Sequence, residues 1–156
     1  MEIETARFGI LHVREDQVID VPSGILGFPE DKRYLLFKHQ EGSPFWWFQS
    51  LDHGALAFVL IDPFLIKPDY ELEMSPEDTA MLQWEKGEGG LQGVQPMALV
   101  SISRGDPKVI TANLLGPVVI NFNRRVAKQV VLDRQDYSHR FPVPLTRDEK
   151  SPVTGR

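Results

Sequence analysis

The run Thr111-Ala-Asn-Leu-Leu-Gly-Pro-Val-Val-Ile-Asn121 constrains this chain more than any other segment. Its β-branched residues favour extended backbone, and Pro117 lacks an amide hydrogen and biases Gly116 away from helical torsions. No helix can run through it. The segment reads as two β-rich pieces that meet in a turn at Gly116-Pro117, with Asn113 and Asn121 at the ends. Asparagine side chains satisfy stray backbone groups at bulges and turns, and glycine admits backbone shapes closed to other residues. Asn113, Gly116, Pro117 and Asn121 are therefore expected to be architectural.

The rest of the chain repeats short extended runs cut by turn residues. Residues 3–10 alternate and predict an opening strand that continues towards Leu11 and Val13. Arg14 to Gln17 reads as a polar turn, and Val18 to Val21 as a second strand that completes a hairpin. Pro22 to Pro29 is a loop punctuated by glycine and proline. Tyr34–Phe37, Phe45–Phe48, Leu56–Ile61, Tyr70–Met74, Met97–Ile102 and Val109–Asn113 follow as β-favouring runs. Val118–Phe122 and Val126–Leu132 flank Asn123-Arg-Arg125 as a further hairpin. One principal helix is expected near 75–86. Ser75 is a good N-cap, Pro76 suits the first turn, and Glu77 and Asp78 complement the dipole. Ala80, Met81 and Trp84 share a face, and Lys86 and Gly87 supply a stop.

This pattern predicts a mainly β fold, a small antiparallel β-barrel or sandwich-like single domain. A chain of 156 residues suits one core, and at that size folding buries about 70% of the unfolded surface. The folded unit is expected over 1–142, with 143–156 a Pro-rich, charged and flexible tail.

Several kinds of chemistry are excluded or unsupported. Without cysteine there is no disulfide, thiolate metal site or thiol nucleophile. His12, His39, His53 and His139 are scattered, with no spacing that puts two on one metal. No G-x-S-x-G elbow occurs, and the glycine-rich stretch 87–93 lacks the Lys-Ser/Thr of a phosphate loop. No enzymatic activity and no cofactor are expected. The acidic, alternating start carries no secretory signal, and the longest apolar stretch is too short for a bilayer. A cytoplasmic location without membrane contact is the expectation.

Charge is unevenly spread. Residues 1–103 hold 7 Lys/Arg against 17 Asp/Glu, a balance of −10, and residues 104–156 hold 10 against 5, a balance of +5. An acidic two-thirds opposes direct nucleic-acid binding, which needs cations to neutralise phosphates. Arg124, Arg125 and Lys128, joined by Tyr137 and Arg140, admit two readings: an RNA grip, or a hairpin tip that blunts a sheet edge. The aromatic block Phe45-Trp-Trp-Phe48 is either buried on both strand faces or presents one pair, such as Trp46 and Phe48, to a partner. Phe28 and Phe64, each beside a proline, share that choice.

An ordered series of motifs then points to a family. Phe8-Gly9, Pro22-Ser-Gly-Ile-Leu-Gly-Phe28, Gln49-Ser50, Ala57-Phe-Val-Leu-Ile-Asp-Pro-Phe64, Ala112-Asn113-Leu114, Pro117-Val-Val-Ile-Asn121 and Gln129-Val-Val-Leu132 resemble the flagellar assembly factor FliW family, from about Phe8 to about Pro142. The resemblance implies a non-enzymatic, cytoplasmic β-barrel-like protein, expected to be a monomer alone. It also implies two protein partners, the RNA-binding translational repressor CsrA and flagellin. Held by new flagellin and released on its export, such a protein binds CsrA and lifts repression of flagellin translation. Partner contacts are expected among Phe28, Glu30, Asp31, Trp46, Phe48, Phe64, Tyr137 and Arg140. Glu30 and Asp31 in particular are expected to help keep RNA off the bound repressor. The alternative is a small β-barrel that binds RNA or a ligand itself.

Overall fold

The computed structural model describes residues 1–84, 93–105 and 108–144. Ten strands are present among them: β1 (Glu2–Thr5), β2 (Gly9–His12), β3 (Ile19–Asp20), β4 (Arg33–Lys38), β5 (Phe45–Ser50), β6 (Ala57–Ile61), β7 (Val94–Ser103), β8 (Val109–Asn121), β9 (Val126–Gln129) and β10 (Phe141–Pro142). Two short helices, α1 (Pro63–Ile66) and α2 (Pro76–Met81), lie between β6 and β7. Seven strands close on themselves in the order β8-β7-β6-β5-β4-β3-β9, because β9 pairs with both β3 and β8. All junctions are antiparallel except β3–β9. Closure removes most free edges. The fold is mainly β, as the sequence predicts.

Alternation along the strands builds two cores. Ile19, Tyr34, Phe48, Leu60, Met97, Val118 and Ile120 fill the barrel interior. The neighbouring positions, including Phe45, Ile61, Ala98, Ala112 and Val119, face outward and are covered by Tyr70, Leu82, Val130, Leu132 and Tyr137. Both faces of these strands are therefore buried. The block at 45–48 follows: Phe45 and Phe48 are fully enclosed and Trp47 nearly so. Phe48 stacks on Tyr34 with ring centres 4.4 Å apart. Trp47 is covered from outside by Phe8 and by Arg7.

Several local expectations are corrected. Residues 2–12 form their own hairpin, Glu2↔His12 to Thr5↔Gly9, and β3 pairs with β4 and β9 instead. Gly9 at φ +68° gives the bend that breaks the opening strand in two. Tyr70 to Met74 forms no strand with any described segment, although Tyr70, Leu72 and Met74 pack on the outer core. Helix α2 stops at Met81 rather than near 86. Gln83, at φ +54°, takes the left-handed position expected of Gly87. Gln83 N–H then donates to Ala80 O, and Trp84 N–H to Thr79 O, closing a Schellman-type end. Lys86 and Gly87 lie outside the described residues. Val143, assigned to the tail, is only 7% exposed and donates its amide to Ile110 O. The folded unit therefore reaches at least that residue.

The sequence from Thr111 to Asn121 also differs from expectation. It is one strand, not two meeting in a turn. Its pairing with β7 jumps from Leu99↔Asn113 to Met97↔Val118, so Leu114 to Pro117 bulge out of the ladder opposite Ala98. The bulge is where β8 changes its second neighbour, from β10 at Thr111 and Ala112 to β9 from Val118 onward.

Candidate functional site

The bulge organises one rim of the barrel. Asn113 Oδ1 accepts from the amides of Leu115 at 2.9 Å and Gly116 at 3.1 Å. Gln129 Nε2 donates to Gly116 O at 2.9 Å, and Gln129 Oε1 accepts from Leu26 N–H at 2.8 Å. One glutamine thus ties the bulge to the 22–29 loop. Gly116 is needed for space and not for a positive φ: a Cβ there would sit 2.9 Å from Gln129 Nε2. Gly24 is constrained more tightly. Its φ is +69°, and a Cβ would meet Phe28 O and Pro29 Cα at 2.6 Å.

Held this way, the loop projects Leu26, 74% exposed, and Phe28, 40% exposed. Phe28 rests edge-on against Phe58, 5.4 Å between ring centres. Beyond Phe58 lies an open groove of about 710 Å³, lined by Leu99 to Ser103, Val109, Thr111, Asn113, His139 and Arg140. The rim and groove form one surface, apolar at the loop and mixed apolar and polar along the strands, with His139 and Arg140 at one side.

This surface gathers two of the expected contact residues, Phe28 and Arg140. Glu30 is exposed just past Phe28. Trp46 and Phe64 are half-buried, Trp46 under the Lys38 ammonium and Phe64 against Tyr70. Three residues are corrected to structural roles. Phe48 is sealed in the barrel. Tyr137 stacks on Tyr70 at 5.1 Å and accepts Glu71 N–H at 2.7 Å, so its ring and hydroxyl are both engaged. Asp31 is only 4% exposed. It accepts Ser50 Oγ–H at 2.9 Å and contacts His53 Nδ1 at 2.5 Å. Leu26, Phe58 and the Leu99–Ser103 edge were not expected, since each reads locally as ordinary loop or strand.

The Asp31–Ser50–His53 group merits a chemical test because it contains the residue types of a hydrolytic triad. Its wiring is different. Ser50 Oγ donates to the carboxylate and accepts from the amides of Asp52 and His53. A serine nucleophile would instead give its proton to the histidine. The Asp31 hydrogen bond and charge raise the His53 pKa above its ordinary value. Nearby, Asp52 is partly buried, yet the amides of Lys32 and Arg33 and the Arg33 guanidinium outweigh that and lower its pKa. These groups tie β4 and β5 to the 51–54 turn.

The basic cluster is taken apart by the fold. Arg125 donates to Gln17 O at 2.6 Å, and Lys128 pairs with Asp78 at 2.7 Å. Among the described residues no group of three or more His, Asp or Glu is placed to hold a metal ion. No described helix is long and apolar enough to cross a membrane.

Closed barrel, two-sided core and glycine-shaped rim define a small β-barrel domain extended by a hairpin. The model of the FliW protein family matches residues 2–143. A flagellar assembly factor FliW from Natranaerobius thermophilus is 40% identical over 92% of each chain. One from Syntrophus aciditrophicus is 42% identical over 95% of this chain and 90% of its own. A crystal structure of the flagellar assembly factor FliW superposes with a TM-score of 0.79 at 32% identity, covering 92% of this chain and 98% of that one. This chain belongs to the FliW family.

Proposed function

We propose that this protein is a non-enzymatic flagellar assembly factor, monomeric in the cytoplasm, with two protein partners. One is a CsrA-type translational repressor, whose RNA binding it antagonises. The other is flagellin, so that flagellin synthesis follows export. The observation that carries the reading is family membership across the whole barrel, with relatives named as flagellar assembly factors over some nine-tenths of both chains. The rim adds physical support, because an exposed apolar loop beside a groove of mixed apolar and polar lining is what a protein interface uses. Charge adds more. A −10 balance over residues 1–103 suits an RNA-binding partner's basic surface and repels RNA. Direct RNA binding through residues 124–128 is disfavoured by the commitments of Arg125 and Lys128.

Purified protein should co-elute in size-exclusion chromatography with the CsrA of the same bacterium, and separately with its flagellin. It should also release a labelled flagellin leader RNA from CsrA without binding that RNA itself. Failure to bind either protein sinks the reading, and so does direct RNA binding at physiological salt.

A further inference from the structure

Pairing between β6 and β7 ends at Val59↔Val100. Strand β7 nevertheless stays paired with β8 for three residues more, Ser101↔Thr111, Ile102↔Ile110 and Ser103↔Val109. The β7–β8 ribbon therefore leaves the barrel wall with one side of its 101–103 backbone unpaired. On the far side of the gap, Ala57 and Phe58 pair only with Gln49 and Phe48 of β5. Apart from the ladder with β8, no backbone hydrogen bond from the described residues reaches Ser101, Ile102 or Ser103. Ser101 and Ser103 are exposed.

The groove opens at this edge and runs across the β7–β8 ribbon, over Val109, Thr111 and Asn113, to His139 and Arg140 beside β10. Leu99 to Ser103 line it without a gap, although successive side chains of a strand point to opposite faces. A cleft bounded by the strand edge touches both sets. Opposite lies Phe58, continuous with Phe28.

We propose that this edge is a strand-addition site: an extended, carboxylate-bearing segment of a partner protein pairs with Ser101–Ser103. Its apolar side chains pack against Phe58 and Leu99, and its carboxylate meets Arg140. The choice of occupant rests on charge. The groove's lining includes Arg140 and His139 and no carboxylate. Arg140 has no side-chain partner among the described residues; only its amide is bonded, to Ser138 Oγ. Arg104 and Lys108 flank the ribbon's tip, which in sequence also holds Asp106. Arg104 and Lys108 near the edge, with Arg140 across the groove, discourage pairing with a second copy of the same edge and favour an acidic strand. Main-chain pairing supplies affinity in this mode, and alternate side chains supply selectivity.

The inference rests on the reading of this chain as a protein-binding factor, but not on which partner it binds. The test is selection from a random twelve-residue peptide phage library against wild type, Arg140→Glu and Ser101→Glu. Both substitutions lie at exposed positions, and circular dichroism and melting temperature check that the variants fold. Wild type should enrich peptides with alternating apolar residues and a carboxylate. Binding of a selected peptide should fall at least tenfold in each variant, and the peptide should slow amide hydrogen exchange in residues 99–103. No enrichment overturns the proposal; so does enrichment that ignores both variants, or protection elsewhere. Concentration-dependent dimerisation in ultracentrifugation that Ser101→Glu abolishes would assign the edge to a second copy instead. If peptides are selected here while neither CsrA nor flagellin binds the protein, the site stands and the proposed partners fall.

Discussion

A carboxylate such as Asp31, enclosed and bonded to Ser50 and His53, works for the fold before it can work for a partner. Asp31→Asn keeps the shape but removes the charge that holds His53. It should cost about 1–3 kcal/mol in urea unfolding, whereas Glu30→Lys, exposed one residue earlier, should stay within about 0.5 kcal/mol. The pH dependence has a definite sign. The folded-state pKa of His53 is raised above the ordinary 6.5, chiefly by its hydrogen bond to Asp31. The stabilisation from its protonated ring is complete below that ordinary value and is lost as the pH rises through the elevated one. Urea midpoints measured on either side of that window should decline for wild type. They should stay flat through it for His53→Gln; an unchanged decline would place the titrating group elsewhere. Sequence alone missed this pair. Asp31 and His53 are 22 residues apart, and no local pattern links them.

Among the elements, the bulge in β8 makes the clearest demands. Gly24→Ala forces a left-handed residue and a backbone clash at once, so a loss of about 2 kcal/mol or more is expected, with Leu26 and Phe28 displaced. Gly116→Ala meets side-chain ends and not backbone, Gln129 Nε2 at 2.9 Å and Asn113 Nδ2 at 3.3 Å, and should cost less. Asn121 ties a second element: its Nδ2 donates to Leu82 O at 2.8 Å, anchoring the end of α2, while its Oδ1 accepts the Asn123 and Arg124 amides. Asn121→Ala should lower stability by about 1–3 kcal/mol, and the melting temperature should fall at least as clearly as partner binding. Lost binding at an unchanged melting temperature would make Asn121 a contact residue. The architectural role of these residues was legible because the amide and glycine chemistry is local. The single bulged strand was not, since it depends on Gln129, Leu26 and the exchange of β10 for β9 as neighbour. Likewise, Ser75 and Pro76 announced where α2 begins, and Asp78 N–H does donate to Ser75 Oγ. Its end was hidden because Gln83, not a glycine, adopts the left-handed turn.

For the whole molecule, strand alternation announced a β fold with buried aromatics, but closure through the parallel β3–β9 contact left no sequence signal. It rests on the single pair Asp20↔Val126 and on Asp20 N–H donating to Arg125 O. The charge asymmetry was legible in full, and it can be tested as a property of the molecule. Asp31 is unsuitable for reversal because a lysine there would be buried, so the change is made at Glu30 and Glu41, both exposed. Glu30→Lys with Glu41→Lys makes the chain four charges more positive and touches no hydrogen bond described above. Rim charges act mainly on steering and selectivity, so the double variant should still bind CsrA. It should displace RNA from CsrA less completely at low salt. The deficit should shrink towards zero as salt rises, because screening contracts to about 10 Å at 0.1 M and about 3 Å at 1 M. Titrating labelled RNA–CsrA complex with each protein across that range measures the effect by fluorescence anisotropy. Equal displacement at every salt concentration would remove long-range repulsion from the mechanism, and RNA release would then have to come from overlap or from a change in CsrA itself.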